Sequence, residues 1–393
     1  MEFTVPDIVI NLIKIVCIVF GFVLGLASLM TLLGDRKQSA LIQNRVGPNR
    51  ARILGLPFVL LGIPHFIADG IKMVLKENIV PDGAHKGLHM IAPALVFMPA
   101  LLGWVGLPFM DLYCDGTVTV DVNTWREVCT GTQQNYFQIM QMNAGLLFAF
   151  AIASVSVYGA AIAGWASNSN YSLIGGLRSS AQMISYEVTM ALSLAGIIMI
   201  FGTLDLNEMV RQQGYLMGGW LPKWGIVVQP LAFFIFFLAG MAETKRAPFD
   251  LPEGESEIVA GYITEYSSMK FAIMQLGEYA ATVFIGALIA VLFLGGWQVP
   301  FLFADGFYFG TTHLAMPGAG VEILGTNLAY LIVIALRIGS MCIKTVILVW
   351  LQFMMRWTLP RFRYDQVMVL GWKILLPLSL ANLVVTAFVL AIF

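Results

Sequence analysis

An α-helix needs about 20 apolar residues to cross the hydrocarbon core of a bilayer. Runs near that length recur eight times in this sequence, at 8–33, 88–107, 138–164, 181–202, 226–242, 271–294, 326–353 and 369–392. Backbone inside lipid must satisfy its own hydrogen bonds, which leaves helices and closed barrels, and barrel strands are about half as long as these runs. The expected fold is therefore an all-α polytopic membrane protein, a single transmembrane domain over 1–393 with about eight transmembrane helices. Composition agrees, at 59% hydrophobic and only 11% charged. The first run is too long for a signal-peptide core and lacks a clear cleavage site, so it reads as a span and not as a removed leader.

Other classes fall away quickly. A net charge of −1 gives no electrostatic case for nucleic acid. Cys17, Cys114, Cys129 and Cys342 form no CxxC, and the four histidines form no HExxH, so no metal site is expected. No GxGxxG or Walker pattern is present, so the chain is not expected to bind NAD, flavin or ATP.

An even number of spans puts both termini on one side. The connections 34–87, 165–180, 243–270 and 354–368 hold fifteen Lys and Arg, whereas those on the other side hold three, Arg126, Arg211 and Lys223. The positive-inside rule then places both termini outside. In the first inner connection, 34–87, the cluster Arg36, Lys37, Arg45, Arg50 and Arg52 is open to three readings: lipid headgroups, the acidic stretch 242–265 of this chain, or a docked subunit. Further on, Phe66 to Glu77 sets Asp69, Lys72 and Lys76 opposite Ile67, Ile71, Val74 and Leu75, the pattern of an amphipathic helix lying in the interface plane. The outer loop 108–137 carries Cys114 and Cys129 around Thr117-Val118-Thr119-Val120. A hairpin closed by a disulfide and a pair of free thiols are equal readings there. Gly296-Trp297 in the outer loop 295–325 reads as an interface anchor.

The inner connection 243–270 stands out. Between Ala242 and Glu265 it packs Glu243, Asp250, Glu253, Glu255, Glu257 and Glu265 against only Lys245 and Arg246. A solvated loop is the plain reading, but Pro248, Phe249, Ile258, Val259 and Tyr262 are interleaved with the acids, so the segment is expected to fold and to line water or polar partners. Glu187 in the fourth run and Glu278 in the sixth lie within spans, where an ionised acid costs about 2.5–3.5 kcal/mol at mid-helix. Each must face protein or water, as a member of a buried ion pair or as a step in a proton path. Arg337 and Lys344 share one face of the seventh run and are open to the same two readings.

Several long segments, in order along nearly the whole chain, resemble the H subunit family of proton-translocating NADH:quinone oxidoreductase, respiratory complex I. They are QNRVGPNR at 43–50, Ala68-Asp69-Gly70, Ser185-Tyr186-Glu187-Val188, AETKRAPFDLPEGESE at 242–257, Glu265-Tyr266, Glu278-Tyr279 and Pro360-Arg361-Phe362-Arg363-Tyr364-Asp365-Gln366. The resemblance implies a subunit that frames the chamber where a quinone, ubiquinone or menaquinone, is reduced. It implies a proton path through Asp35, Glu187, Asp250, Glu253, Glu255, Glu257, Glu265 and Glu278, and a chamber bordered by Arg36, Ala68, Asp69, Arg246 and Phe249. Electrons would come from an iron–sulfur cluster in a peripheral-arm partner. Further partners would be the peripheral quinone-site subunit, adjacent small membrane subunits and lipid. Two departures bear on this: Asp35-Arg36 stands where the family usually has Glu-Arg, and His65-Phe66-Ile67 where it has Gln-Pro-Phe. The long outer loops favour a bacterial inner-membrane copy, with periplasmic termini, over a mitochondrial one. The rival readings are the membrane subunit of an energy-converting hydrogenase, a stand-alone proton-coupled transporter, and a scaffold whose acids are inert.

Overall fold

The computed structural model of the protein describes residues 11–50, 63–116, 118–121, 125–218, 220–252, 254–309, 312–317, 322–323 and 326–392. The helices are α1 (Asn11–Ile42), α2 (Ile63–Leu75), α3 (Lys86–Leu102), α4 (Gly145–Ala166), α5 (Asn170–Phe201), α6 (Leu206–Gln213), α7 (Pro230–Glu243), α8 (Ser268–Phe293), α9 (Leu328–Thr358) and α10 (Tyr364–Ile392). Among the described residues, seven of them are long and apolar enough to cross a membrane: α1, α3, α4, α5, α8, α9 and α10. The chain is a multi-pass, mainly helical membrane protein.

The run at 226–242 departs from the expectation of one continuous span. It forms a single turn, Gly225–Val228, and then α7, which is 14 residues long. The break falls at Gln229, whose φ of −137° and ψ of 67° leave the helical region. Pro230 follows, and a proline both lacks a donor and disfavours helix in the residue before it. Buried Gln229 is held by polar side chains of α10, donating to Thr386 Oγ1 at 2.5 Å and accepting from Asn382 at 2.9 Å.

The bundle is built around α8, which packs against α3, α9, α7 and α2. From Val283 to Phe293 every residue of α8 is apolar and buried, a length of about 16 Å at 1.5 Å per residue. Charged groups gather beyond each end of it. Close approach elsewhere depends on glycine: a Cβ at Gly175 of α5 would meet Gly261 Cα at 2.6 Å. The bare backbone there is what lets the acidic loop lie on α5.

Helix α2 has the expected two faces, and it starts and stops slightly earlier than 66–77. Ile67, Ile71, Val74 and Leu75 are exposed, while Asp69 pairs with Arg36 and Lys72. Among the described residues, strands occur only between α3 and α4, between α6 and α7 and between α8 and α9, the loops expected on the outer side. In 108–137 the antiparallel pair Val118–Asp121 and Arg126–Cys129 is closed by a Cys114–Cys129 disulfide, which selects the bridged reading. In 295–325, Leu302–Phe303, Gly306–Phe309 and Thr312–Ala315 form a three-stranded antiparallel sheet.

Three residues read as membrane features have structural roles at this outer end. Trp297 is not a lipid-interface anchor: it is fully buried and donates to Asn207 Oδ1 at 3.3 Å. Arg337 forks onto Glu127 of the outer loop and lies over the Trp297 ring at 5.0 Å. Lys344 donates to the carbonyls of Leu294, Gly296 and Gln298 at 2.7, 2.9 and 2.6 Å, which supplies partners just past the C-terminus of α8.

Candidate functional site

The acidic loop folds back against α5 and α8, at the helix ends expected to be the inner ones. Gln182 of α5 fixes it at two points, donating to the carbonyls of Ala242 at 2.7 Å and Phe249 at 2.9 Å. Phe249 is buried between Tyr186 and Phe362, with ring centroids 5.8 and 5.6 Å away. The segment before α10 closes the other side: Phe362 N donates to the Pro248 carbonyl at 3.1 Å and Arg361 donates to the carbonyl of Asp250. Lys245 has a φ of 54°, in the left-handed region, and both it and Arg246 are only 5% exposed.

Around Arg246 the structure assembles a buried polar cluster. Glu278 of α8 is 5% exposed and lies 3.8 Å from the Arg246 guanidinium, which also sits 4.0 Å over the Tyr279 ring. The phenol of Tyr262 donates to Glu278, and the Lys245 ammonium donates to that phenol at 3.4 Å. Asp35 of α1 pairs with Arg356 of α9 and also feels the charges of Arg246 and Arg36. Burial pushes the Asp250 carboxyl up to about 6; Arg361 opposes the shift, Glu278 adds to it, and Arg356 and Arg246 oppose it. Several polar atoms here are buried without a hydrogen-bond partner among the described residues: Glu243 Oε2, Asp250 Oδ1, and Nε and Nη2 of Arg246. Orphans of this kind are uncommon in a finished core and mark a place where water, protons or a ligand complete the network.

Two cavities flank the cluster. The inner one, about 50 Å³, is bordered by Glu243, Lys245 and Glu278 among apolar neighbours, space for one or two waters at about 30 Å³ each. Glu243 in turn feels the charge of Glu187, which is half-buried on α5. The other cavity is an apolar groove of about 580 Å³ between α1, α2 and α8. Its few polar groups include Asp35, Arg36, Asp69 and Tyr279, and Phe66, Met73 and Phe271 supply apolar wall. Size and lining suit a small apolar ligand with a polar head. Burial alone would raise Asp69, but the Lys72 hydrogen bond and the Arg36 guanidinium outweigh it and hold its carboxyl below the usual range. Tyr279 belongs to both places, bordering the groove and lying under Arg246.

The residues singled out in the sequence are thus distributed unevenly. Asp35, Asp250, Glu278 and Arg246 come together in the cluster, Arg36 and Asp69 border the groove, and Glu187 approaches Glu243. Ala68 is half-buried on α2 and Phe249 packs beneath the loop; neither borders the groove. Glu257 forms a half-exposed pair with Arg178 at 2.6 Å. Glu265 stands beside His89, whose ring stacks on Tyr266 and approaches Lys270. Glu253 and the Glu255 side chain lie outside what the structure describes. Sequence reasoning did not assign site roles to Lys245, Tyr262, Tyr279 or Arg356, because a hydroxyl or a cation gains its meaning from what it touches. Glu243 was visible as part of the acidic stretch, but not as a wall of a cavity.

Fold and site together define a polytopic membrane protein that carries buried carboxylates beside an apolar ligand groove. The chain matches the NADH dehydrogenase family over residues 13–387 and belongs to it. It is 42% identical to an NADH-quinone oxidoreductase H subunit of Koribacter versatilis, across 98% of each chain. It is 39% identical to an H subunit of the same enzyme from Cytophaga hutchinsonii, across 96% of each. To the NADH-quinone oxidoreductase H subunit of Bdellovibrio bacteriovorus it is 37% identical, across 98% of this chain and 97% of that one.

Proposed function

We propose that this chain is the membrane subunit of a proton-translocating NADH–quinone oxidoreductase that receives the quinone and couples its reduction to proton movement. The observation that carries this reading is the shared wall. The groove between α1, α2 and α8 ends on Asp35 and Tyr279, and the buried acids begin there. The quinone, ubiquinone or menaquinone, occupies the groove with its head toward Asp35, Arg36 and Tyr279. Its two electrons come from an iron–sulfur cluster of a peripheral partner, and its two protons from the aqueous side.

Charge arriving on the quinone in this low-dielectric setting acts strongly on nearby carboxylates. Asp35, Asp250 and Glu278 respond as one coupled set through Arg246 and Arg356. Uptake passes to Glu243 and Glu187, and from the half-buried face of α5 to an adjacent membrane partner. Beyond the inner cavity, the apolar stretch of α8 from Gly286 to Phe293 keeps protons from crossing directly. The same reading places the chain in a bacterial inner membrane with periplasmic termini. The Lys and Arg distribution supports that orientation, as does a disulfide in a loop assigned to an oxidising compartment.

A photoreactive quinone analogue in the assembled complex tests the groove. Crosslinks at 66–74 and 269–279, competed by quinone, are expected. Crosslinks confined to other surfaces overturn the assignment.

A further inference from the structure

We propose that Tyr262 is a proton relay joining Lys245 to Glu278, and so joins the Glu243 side of the inner cavity to the cluster next to the groove. The inference rests on the proton role proposed for Glu278 and assigns its immediate partner. Tyr262 sits in the turn Gly261–Ile263, fully buried against Ala92, Val96, Ala160 and Met274. Its hydroxyl touches both charged neighbours: it donates to Glu278 Oε1 and accepts from Lys245 Nζ at 3.4 Å. The Lys245 ammonium also lies 4.7 Å over the Tyr262 ring, so the aromatic face holds the donor in place. Lys245 and Glu243 both border the inner cavity, and they act on one another electrostatically. Glu278 borders the same cavity, and the phenol is the hydrogen-bonded link between the Lys245 ammonium and the Glu278 carboxylate.

The transfer balances without a co-reactant. One N–H bond of Lys245 breaks as an O–H bond forms on the phenol oxygen. The original phenol O–H bond breaks in concert, and its proton bonds to Glu278 Oε1. The products are a neutral Lys245 amine, an intact phenol and a neutral Glu278. The amine then takes a proton from Glu243 across the cavity, so the net change is one proton moved from Glu243 to Glu278. Reversal runs the same bonds backward.

The test uses the whole assembled complex in proteoliposomes. Tyr262→Phe keeps the ring, its packing and the cation contact, and removes only the hydroxyl. Quinone-coupled proton translocation should fall about 100-fold, the usual worth of a positioned proton-transfer group, with the KM for quinone unchanged. The solvent deuterium isotope effect on the residual rate should rise, which lost packing alone would not cause. 3-Fluorotyrosine at 262 should restore transport. Lys245→Met breaks the relay one step earlier and should give a similar loss, and the double variant should be no worse than either single one. Should Tyr262→Phe fail to assemble, Lys245→Met with its isotope effect decides the matter alone. Full translocation in Tyr262→Phe, or in Lys245→Met, overturns the relay. If Glu278→Gln made in parallel is inactive, only the relay has failed; if that variant is also fully active, the role of the acids fails with it.

Discussion

Charged residues are buried at both ends of α8, and the two ends are built differently. At the outer end the carboxylates are matched at short range, even beside a cavity of about 300 Å³, although Nε of Arg337 has no hydrogen-bond partner among the described residues. Arg337 is bidentate to Glu127, Arg211 holds Asp111 at 2.6 Å, and Lys344 is shared among three carbonyls. At the inner end Asp35 is paired with Arg356, but Glu243, Asp250 and Glu278 sit among cations at longer range, beside two cavities and with Glu243 Oε2 and Asp250 Oδ1 unpartnered among the described residues. Matched charges pin a structure, because any change of protonation costs the pair. Unevenly matched charges beside free volume can change protonation at small cost. Burial alone therefore does not identify a functional carboxylate; incomplete pairing next to a cavity does.

Four substitutions press on this contrast, beginning with the largest effect. Glu278→Gln removes an acid from the incomplete end and should cut proton translocation at least ~100-fold while leaving the complex assembled; proteoliposome pumping and native gels check both. Arg337→Met, at the matched end, strands Glu127 and should cost roughly 3–5 kcal/mol of stability, seen as poor assembly. Whatever complex does form should turn over normally, and adding Glu127→Gln should recover part of the stability.

Asp250→Asn tests pH dependence. With its carboxyl raised from 3.8 to about 6, the neutral form is the one the fold favours. Its stabilising contribution is full below the unfolded value and is lost as pH rises through about 6, a difference of order 1–3 kcal/mol. Thermal denaturation of the wild type should show this slope, and the variant should not. Glu257→Gln, in the half-exposed pair with Arg178, should change stability by less than about 1 kcal/mol and leave turnover intact; a large loss of pumping would move Glu257 into the path.

Much of this architecture is legible in the sequence. Length and hydropathy find the spans because lipid forbids alternatives, and the two-faced α2 is read from its periodicity. The continuous span at 226–242 fails because the break at Gln229 is compensated by Thr386 and Asn382 of α10, a contact no local pattern reveals. The density of acids marks the right loop but not its members' fates. Glu243 and Glu257 look alike along the chain, yet Glu257 meets Arg178 near the surface and Glu243 is buried on a cavity in the interior. Tyr262 and Arg356 carry no sequence signal of their own, since their roles arise where separate helices converge.

The central claim is that carboxylates at the inner end change protonation when quinone is reduced nearby. Infrared difference spectra of the assembled complex, recorded between oxidised and reduced quinone with isotope-labelled carboxyl groups, test it directly. The account predicts carboxylic-acid bands that appear or shift on reduction and are lost or displaced in Glu278→Gln, but are unchanged when Glu127 is replaced. A silent carboxyl region, or bands that follow Glu127 and ignore Glu278, would contradict it.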